Sequence, residues 1–476
     1  MRKQYTQMSL LDTYADVSTA MEEDKPRFIR LLEEHINFEE LIPSEFYMVF
    51  NHGFGRPRKY RLESFIKFFV LQKILSISND SVLLNILNMC RELRDFCGFH
   101  KVPDASIITR FRQDFTHYLK KMFDHMVEVT EPICREIDPK KADYLIYDPT
   151  GIEANVAENN PKFFNAKLNQ AKKAAKSKPN LNPYSLSYSL MPETAQANPF
   201  VKQQYINGHF CYAHKAGILT NGLGVVRDIV FFDELFRLRH PEVVSKKTDN
   251  PELDKEIADS TSLKSVLTDF FHNHPTFSYK TFLGDSSFDA YYIYSMLRHD
   301  FKFDRMAIPL RNRDVSDKHS DYDENGIPLC HVDHTPFTYV GVCRGKNRSE
   351  RFKWACPKTE RIPGSSKRRC FCETPCSNSS YGRCVYTYPN KNLRLYPGIP
   401  RGTEHWDNLY RHRVLIERTI GLLKDPLGVV YRKSYSQRTA KADLIFAGIT
   451  QLIGVILAQA INKPHLYKSI RKLIVA

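Results

Sequence analysis

The sequence has no apolar run near its start that could serve as a signal-peptide core, because Met1 to Asp16 mixes polar residues throughout. The expected location is therefore a reducing cytoplasm, in association with the nucleoid. No internal repeat is present, which excludes a solenoid or propeller array. Long uncharged stretches are nearly absent as well. The exception, Leu444 to Ile461, is close to the length that spans a bilayer, yet it carries Thr450, Gln451 and Gln459. It reads as the buried core helix of a soluble domain. The chain is also short of acidic charge, with 54 Asp and Glu against 69 Lys and Arg, a net +15. Such an excess favours a polyanionic partner, nucleic acid ahead of an anionic membrane surface. A hydrophobic share of 42% and a charged share of 26% exclude wholesale disorder and fibrous folds. At 476 residues the chain can bury several cores without disulfide staples.

The eleven cysteines are unevenly spread. Cys90, Cys97, Cys134 and Cys211 are scattered, whereas Cys330, Cys343, Cys356, Cys370, Cys372, Cys376 and Cys384 crowd one segment. In a reducing compartment such crowding suggests metal before disulfides. Cys356, Cys370, Cys372 and Cys376 could make a structural Zn2+ site. Their C-x-C and C-x3-C spacings are not the usual C-x2-C pairs, and reduced thiols packing a small β subdomain would give the same pattern.

The organisation expected from pattern is an all-helical region over 1–138, an α/β region over 139–310 with a basic loop at 160–200, a cysteine-rich insertion over 311–400, and closing helices over 401–476. In the first region, Glu63 to Leu75 and Val82 to Phe99 carry apolar residues at helical spacing. Asp104 or Ser106 can cap a further helix bearing Arg110, Arg112, Lys120 and Lys121. Short helices with tight connections and a basic last member suggest a helix-turn-helix unit that contacts DNA through Arg110 and Arg112. A plain bundle with a solvated basic face is the alternative. From Tyr144 the period changes. Tyr144-Leu-Ile-Tyr147 reads as a buried strand breaking into a turn at Asp148, and Thr281-Phe-Leu-Gly284 as a strand ending at Asp285. Asn221-Gly222 signals a hairpin.

Glu404 to Asp425 is expected to form one helix, with Thr403 as cap and Pro426 as stop. At about 100° per residue, Tyr410, Arg413, Glu417 and Lys424 fall within about 60° of one another. An acid, two cations and a phenol on one stripe can bind metal and phosphate together; a solvated charged face would look the same. Asp148 and Asp285 change the balance, since each ends a strand, where open α/β sheets place ligand groups. Two strand-end aspartates and a helix glutamate can hold a pair of Mg2+ ions.

Tyr410, Arg413, Glu417 and Lys424 match the spacing Tyr-x2-Arg-x3-Glu-x6-Lys, which resembles the YREK signature of a group of bacterial insertion-sequence DDE transposases. Asp148 in YDPTGIEAN and Asp285 in FLGDSSFDA resemble the two preceding acidic motifs, and GRPRKYRLESFIKFFVLQKILSIS and PDASIITRFRQDF resemble the helical DNA-binding segment. The resemblance implies an RNase H-like catalytic fold, a mixed five-stranded sheet flanked by helices. It implies Asp148, Asp285 and Glu417 as catalytic ligands of Mg2+, with Mn2+ able to substitute, and Tyr410, Arg413 and Lys424 as phosphate contacts. The implied function is binding of terminal inverted repeats, metal-dependent strand cleavage and strand transfer, by a homodimer on double-stranded DNA and with no membrane partner. Two other classes stay open: a nuclease or domesticated transposase without strand transfer, and a DNA-binding regulator without catalysis.

Overall fold

The computed structural model describes residues 25–51, 57–176, 182–206, 209–243, 259–311, 321–346, 348–365, 367–430 and 436–475. Met1 to Asp16, and Gly55 and Arg56 of the GRPRKYR stretch, lie outside them. The architecture is mixed α+β and divides into two units: 1–137 with 152–160 and 421–476, and 138–151 with 161–420.

The first unit is helical. Leu62–Ile74 buries nearly every side chain, and Ala105–Ile137 begins where the Asp104 carboxylate accepts the Ser106 amide at 2.8 Å. The apolar stretch expected as one helix over 82–99 is two, Asp80–Met89 and Arg91–Cys97, because Cys90 between them is extended. Gly98 closes the second with φ +71°, a left-handed cap that suits glycine. Stacked rings join the helices: Phe65 on Phe111 at 4.5 Å, and Phe69 on Phe446 at 4.3 Å. Phe446 belongs to Gln437–Ala460, a helix long and apolar enough to cross a membrane, of whose most apolar window 89% is buried within the fold. The contacts place Gly421–Ala476 with the N-terminal helices, rather than grouping all of 401–476 with the α/β region.

Arg112 corrects an expectation. It is 1% exposed, donates to Asp443 at 3.1 Å and pairs with Asp80, which also accepts from Gln72 at 2.8 Å. A guanidinium committed to two buried carboxylates is core structure, so Arg112 leaves the set of DNA contacts. Arg110, on the exposed side of the same helix, bonds only within its own turn, to Ser106.

The second unit is built on a seven-stranded sheet: β1 (Tyr144–Glu153), β2 (Thr194–Ala195), β3 (Asn198–Ile206), β4 (His209–Asn221), β5 (Val226–Phe231), β6 (Thr281–Leu283) and β7 (Arg305–Ala307). The order is β2-β3-β4-β1-β6-β7, with β5 also on β4. The thirteen-residue β4 pairs antiparallel with β3 along its first part and with β5 along its last, which makes the sheet larger than the expected five strands. The Asn221-Gly222 turn joins β4 to β5, the Asn221 side chain accepting the Leu223 and Val225 amides. β1–β6 and β6–β7 are parallel. β1 does not break at Asp148 but continues through Pro149 to Glu153.

The expected basic loop is also different. Helices Pro161–Ala175 and Pro183–Ser189 occupy much of it, and Phe164, Tyr188 and Phe210 pack ring to ring at 5.0–5.2 Å. Lys162, Lys172 and Lys173 remain exposed. Between β7 and residue 400 lies a β lobe, β8 (Thr338–Gly345), β9 (Arg348–Ala355) and β12 (Cys384–Thr387) in the order β12-β9-β8, with a separate pair β10 (Thr359–Arg361) and β11 (Arg368–Cys370). Its small core centres on Phe352 and Trp354, whose indole donates to Thr387 at 2.9 Å.

Candidate active site

Parallel pairing brings the two aspartate-bearing segments side by side. In β1 and β6, Tyr144, Leu145 and Ile146 face Thr281, Phe282 and Leu283. Asp148 and Asp285 each stand two residues beyond the last aligned pair, on chains whose backbones run about 4.8 Å apart within the sheet. Asp285 is held in place locally. Its carboxylate accepts the Ser287 amide at 2.8 Å and the Ser287 hydroxyl, capping the 3-10 turn Ser286–Phe288. Gly284 is required before it, since a Cβ there would lie 2.9 Å from the Phe288 ring.

One buried cluster carries the third acid to this sheet end. Tyr144, Ile146, Leu283 and Ala307 of the strands pack with Ile399, Trp406, Leu409 and Ile416. Ile146 and Leu283 lie two residues before Asp148 and Asp285, and Ile416 immediately precedes Glu417, so the same apolar contacts brace the backbone beside all three acids. The expected single helix over 404–425 is two, Glu404–Tyr410 and Val414–Lys424, joined by the 3-10 turn Arg411–Arg413. In 3-10 geometry residues three apart eclipse, which keeps Tyr410 and Arg413 in line despite the break. His412 anchors the turn, its ring edge-on to Tyr144 at 5.4 Å and its Nδ1 3.0 Å from the Asn408 carbonyl.

Arg413 links the acids. It pairs with Glu417 and places Nη2 3.7 Å from Asp148 Oδ2. Burial works against its charge, but Asp148, Tyr410 and Glu417 outweigh that and hold its pKa above the ordinary value. Its Nε is buried and has no hydrogen-bond partner among the described residues. Burial raises the Tyr410 phenol too. Arg413 opposes that shift, while Asp285, Glu417 and Asp148 all reinforce it, so one phenol feels all three carboxylates. It is neutral, and therefore a donor, through the physiological range. Lys424, also expected at this site, is a buried residue of the first unit.

Among the described residues no three His, Cys, Asp or Glu side chains are already closed around a point where a metal ion could sit. The donor chemistry nonetheless fits a hard divalent cation: three carboxylates, two of them just beyond the paired part of β1 and β6, with a guanidinium lying against Asp148 and Glu417.

One group went unnoticed in the sequence. Asp289, four residues past Asp285, accepts from Arg394 through both oxygens, at 3.0 and 2.7 Å, and from the Arg311 amide at 2.8 Å. Buried Arg401 donates to the Ile308 carbonyl at 2.9 Å and to Tyr294 at 2.7 Å. These bonds clamp both roots of the β lobe to the Asp285 motif; the FDA triplet in FLGDSSFDA was the only signal.

Residues 17–114 match the family model described as a transposase domain (DUF772), about a fifth of the chain. No curated protein matches. A solved piggyBac transposase synaptic complex with hairpin DNA is similar over 95% of this chain and 84% of its own, at 11% identity and a TM-score of 0.27. At that score the likeness supports no argument about fold or function.

Proposed function

We propose that this chain is a DDE-type DNA transposase, with an RNase H-like catalytic domain, that binds the terminal inverted repeats of an insertion sequence and performs strand cleavage and strand transfer. The observation that supports the reading is that Arg413 lies against both Asp148 and Glu417, while Asp148 and Asp285 each follow by two residues the last pair of the parallel strands β1 and β6. The transposase-domain match over residues 17–114 supports it independently.

Asp148, Asp285 and Glu417 would hold divalent cations, Mg2+ or Mn2+, which when bound supply activation of the attacking oxygen and stabilisation of the leaving oxygen. Arg413 is assigned to a phosphate, because its guanidinium lies against Asp148 and Glu417 with its side chain 17% exposed. Tyr410 presents a neutral hydroxyl beside it, while Lys424, which the resemblance also assigns to phosphate, is a buried residue of the first unit. In cleavage a water oxygen bonds to phosphorus and the P–O3′ bond breaks, leaving a 3′-OH and a 5′-phosphate. In strand transfer that 3′-OH attacks a target phosphodiester and displaces its O3′. The helix-turn-helix reading of the N-terminal region is narrowed to Arg110 and its exposed neighbours, since Arg112 is buried. A homodimer pairing two ends, acting at the nucleoid, completes the reading.

The test is cleavage of element-end DNA by the full chain in Mg2+. Asp148→Ala, Asp285→Ala and Glu417→Ala should each abolish nicking while retaining DNA binding in a gel shift. Nicking at the wild-type rate in any of the three would remove the metal assignment. Joining of a pre-cut end to plasmid separates a transposase from a nuclease that lacks strand transfer.

A further inference from the structure

The β lobe contains a stretch that its own packing does not explain. Between Cys356 and Cys384 no apolar side chain is buried among the described residues, and Ile362, Phe371 and Tyr381 are turned to solvent. The strands within it are β10 and β11, three residues each, tied by Arg368 to the Thr359 hydroxyl and carbonyl at 3.0 Å. An isolated two-stranded pair is marginal in water. A lobe with so little core ordinarily needs a cross-link.

Thiols surround the place where one would go. Cys330, Cys356, Cys370, Cys372 and Cys376, with Asp333, line a cavity of about 10 Å3, room for one small ion and nothing larger. Cys330, Cys356 and Cys376 also belong to the lobe's single apolar cluster. Gly382 shows how closely the sulfur-bearing segments approach: a Cβ there would lie 3.5 Å from the Cys356 Cβ and 3.8 Å from that of Cys370.

We infer that Cys330, Cys356, Cys370 and Cys376 bind one structural Zn2+, with Cys330 rather than Cys372 completing the set. Cys372 also lines the cavity, but its thiol donates to the Thr374 carbonyl at 3.3 Å within its own loop. Cys330 is buried, and it shares the cavity wall and the apolar cluster with Cys376. The spacing of the later cysteines hides this, because the fourth ligand comes from the turn that precedes β8. Binding releases four protons, one from each thiol, and leaves a complex of charge 2−, which Lys358 and Arg383 on the same cavity wall offset. The thiols are not yet at ligand distance among the described residues. Zn–S bonds of about 2.3 Å require them to rotate inward.

Metal analysis of the full chain, purified without chelator, tests this independently of any activity on DNA. Wild type should carry one equivalent of zinc, and Co2+ exchanged into it should show a thiolate-to-cobalt charge-transfer band. Cys330→Ser should lose the metal, while Cys372→Ser and Cys384→Ser keep it. Should Cys330→Ser fail to fold, chelation of wild type gives a second reading: protease should then cut between residues 357 and 383 at least tenfold faster. Wild type that takes up neither zinc nor cobalt, protease resistance unchanged by chelation, or zinc retained in Cys330→Ser but lost in Cys372→Ser would overturn the assignment.

Discussion

Two arginines in this protein each hold two carboxylates, and they do different work. Arg112 pairs with Asp80 and Asp443 inside the helical unit, where it is 1% exposed. Arg413 pairs with Asp148 and Glu417 beside the sheet, with its side chain 17% exposed. Both guanidinium groups leave Nε buried and without a hydrogen-bond partner among the described residues, so the count of bonds does not separate them. Access does: Arg112 is enclosed by helix packing, whereas Arg413 is open in part to solvent beside β1. An enclosed charge network is structure; one that solvent reaches can meet a ligand.

Removing the arginine should separate the two. Arg112→Ala strands two buried carboxylates and should lower the unfolding free energy by about 3–5 kcal/mol in a denaturant titration. If it unfolds like wild type but loses DNA affinity, the comparison is reversed and Arg112 is a DNA contact after all. Arg413→Ala should leave stability within about 1 kcal/mol and slow end cleavage roughly 10–100-fold, the scale of a charge-assisted hydrogen bond to phosphate. An unchanged cleavage rate would reduce its stripe to ordinary surface.

A third arginine, Arg394, sharpens the contrast by way of pH. Burial opposes ionisation of Asp289, but Arg394, the Arg311 amide and Tyr294 together hold its carboxyl below the usual range. A depressed folded pKa gives stability that is present above the unfolded value of about 3.9 and lost as pH falls through the folded one. Acid unfolding of wild type should therefore steepen below about pH 4, and Asp289→Asn should be less stable at neutral pH and flatter in acid. Matching slopes in the two proteins would show that this pair is not coupled to folding. The smallest effect is expected from Arg110→Ala, a weakening of DNA binding that reduces the salt slope by about one. No change in slope would leave Arg110 as a solvated residue.

How much of this was legible beforehand follows from range. Asp148 and Asp285 could be located because a short apolar strand ending in an acid is a local pattern. The role of Arg112 was hidden, since its partners lie 32 and 331 residues away and an amphipathic helix shows only that it bears charge. The segment after Asp148 was misread as a loop because its Lys, Asn and Ser outnumber the few aromatics that pack its helices. The break at Arg411–Arg413 was invisible because the 3-10 turn uses the same residues a continuous helix would. Cys330 stands outside the C-x-C and C-x3-C run, so ligand spacing gives no sign that it shares a cavity with those thiols.

The central claim is that Asp148, Asp285 and Glu417 form one cation site while the buried carboxylates of the helical unit do not. Titration of the DNA-free chain with Mn2+, followed by the loss of the free-ion electron paramagnetic resonance signal, tests it most directly. Wild type should bind Mn2+ saturably and release it to Mg2+, Arg413→Ala should bind at least as tightly, and the Asp148→Asn, Asp285→Asn double variant should bind none at this site. Identical titrations for wild type and the double variant would contradict the account.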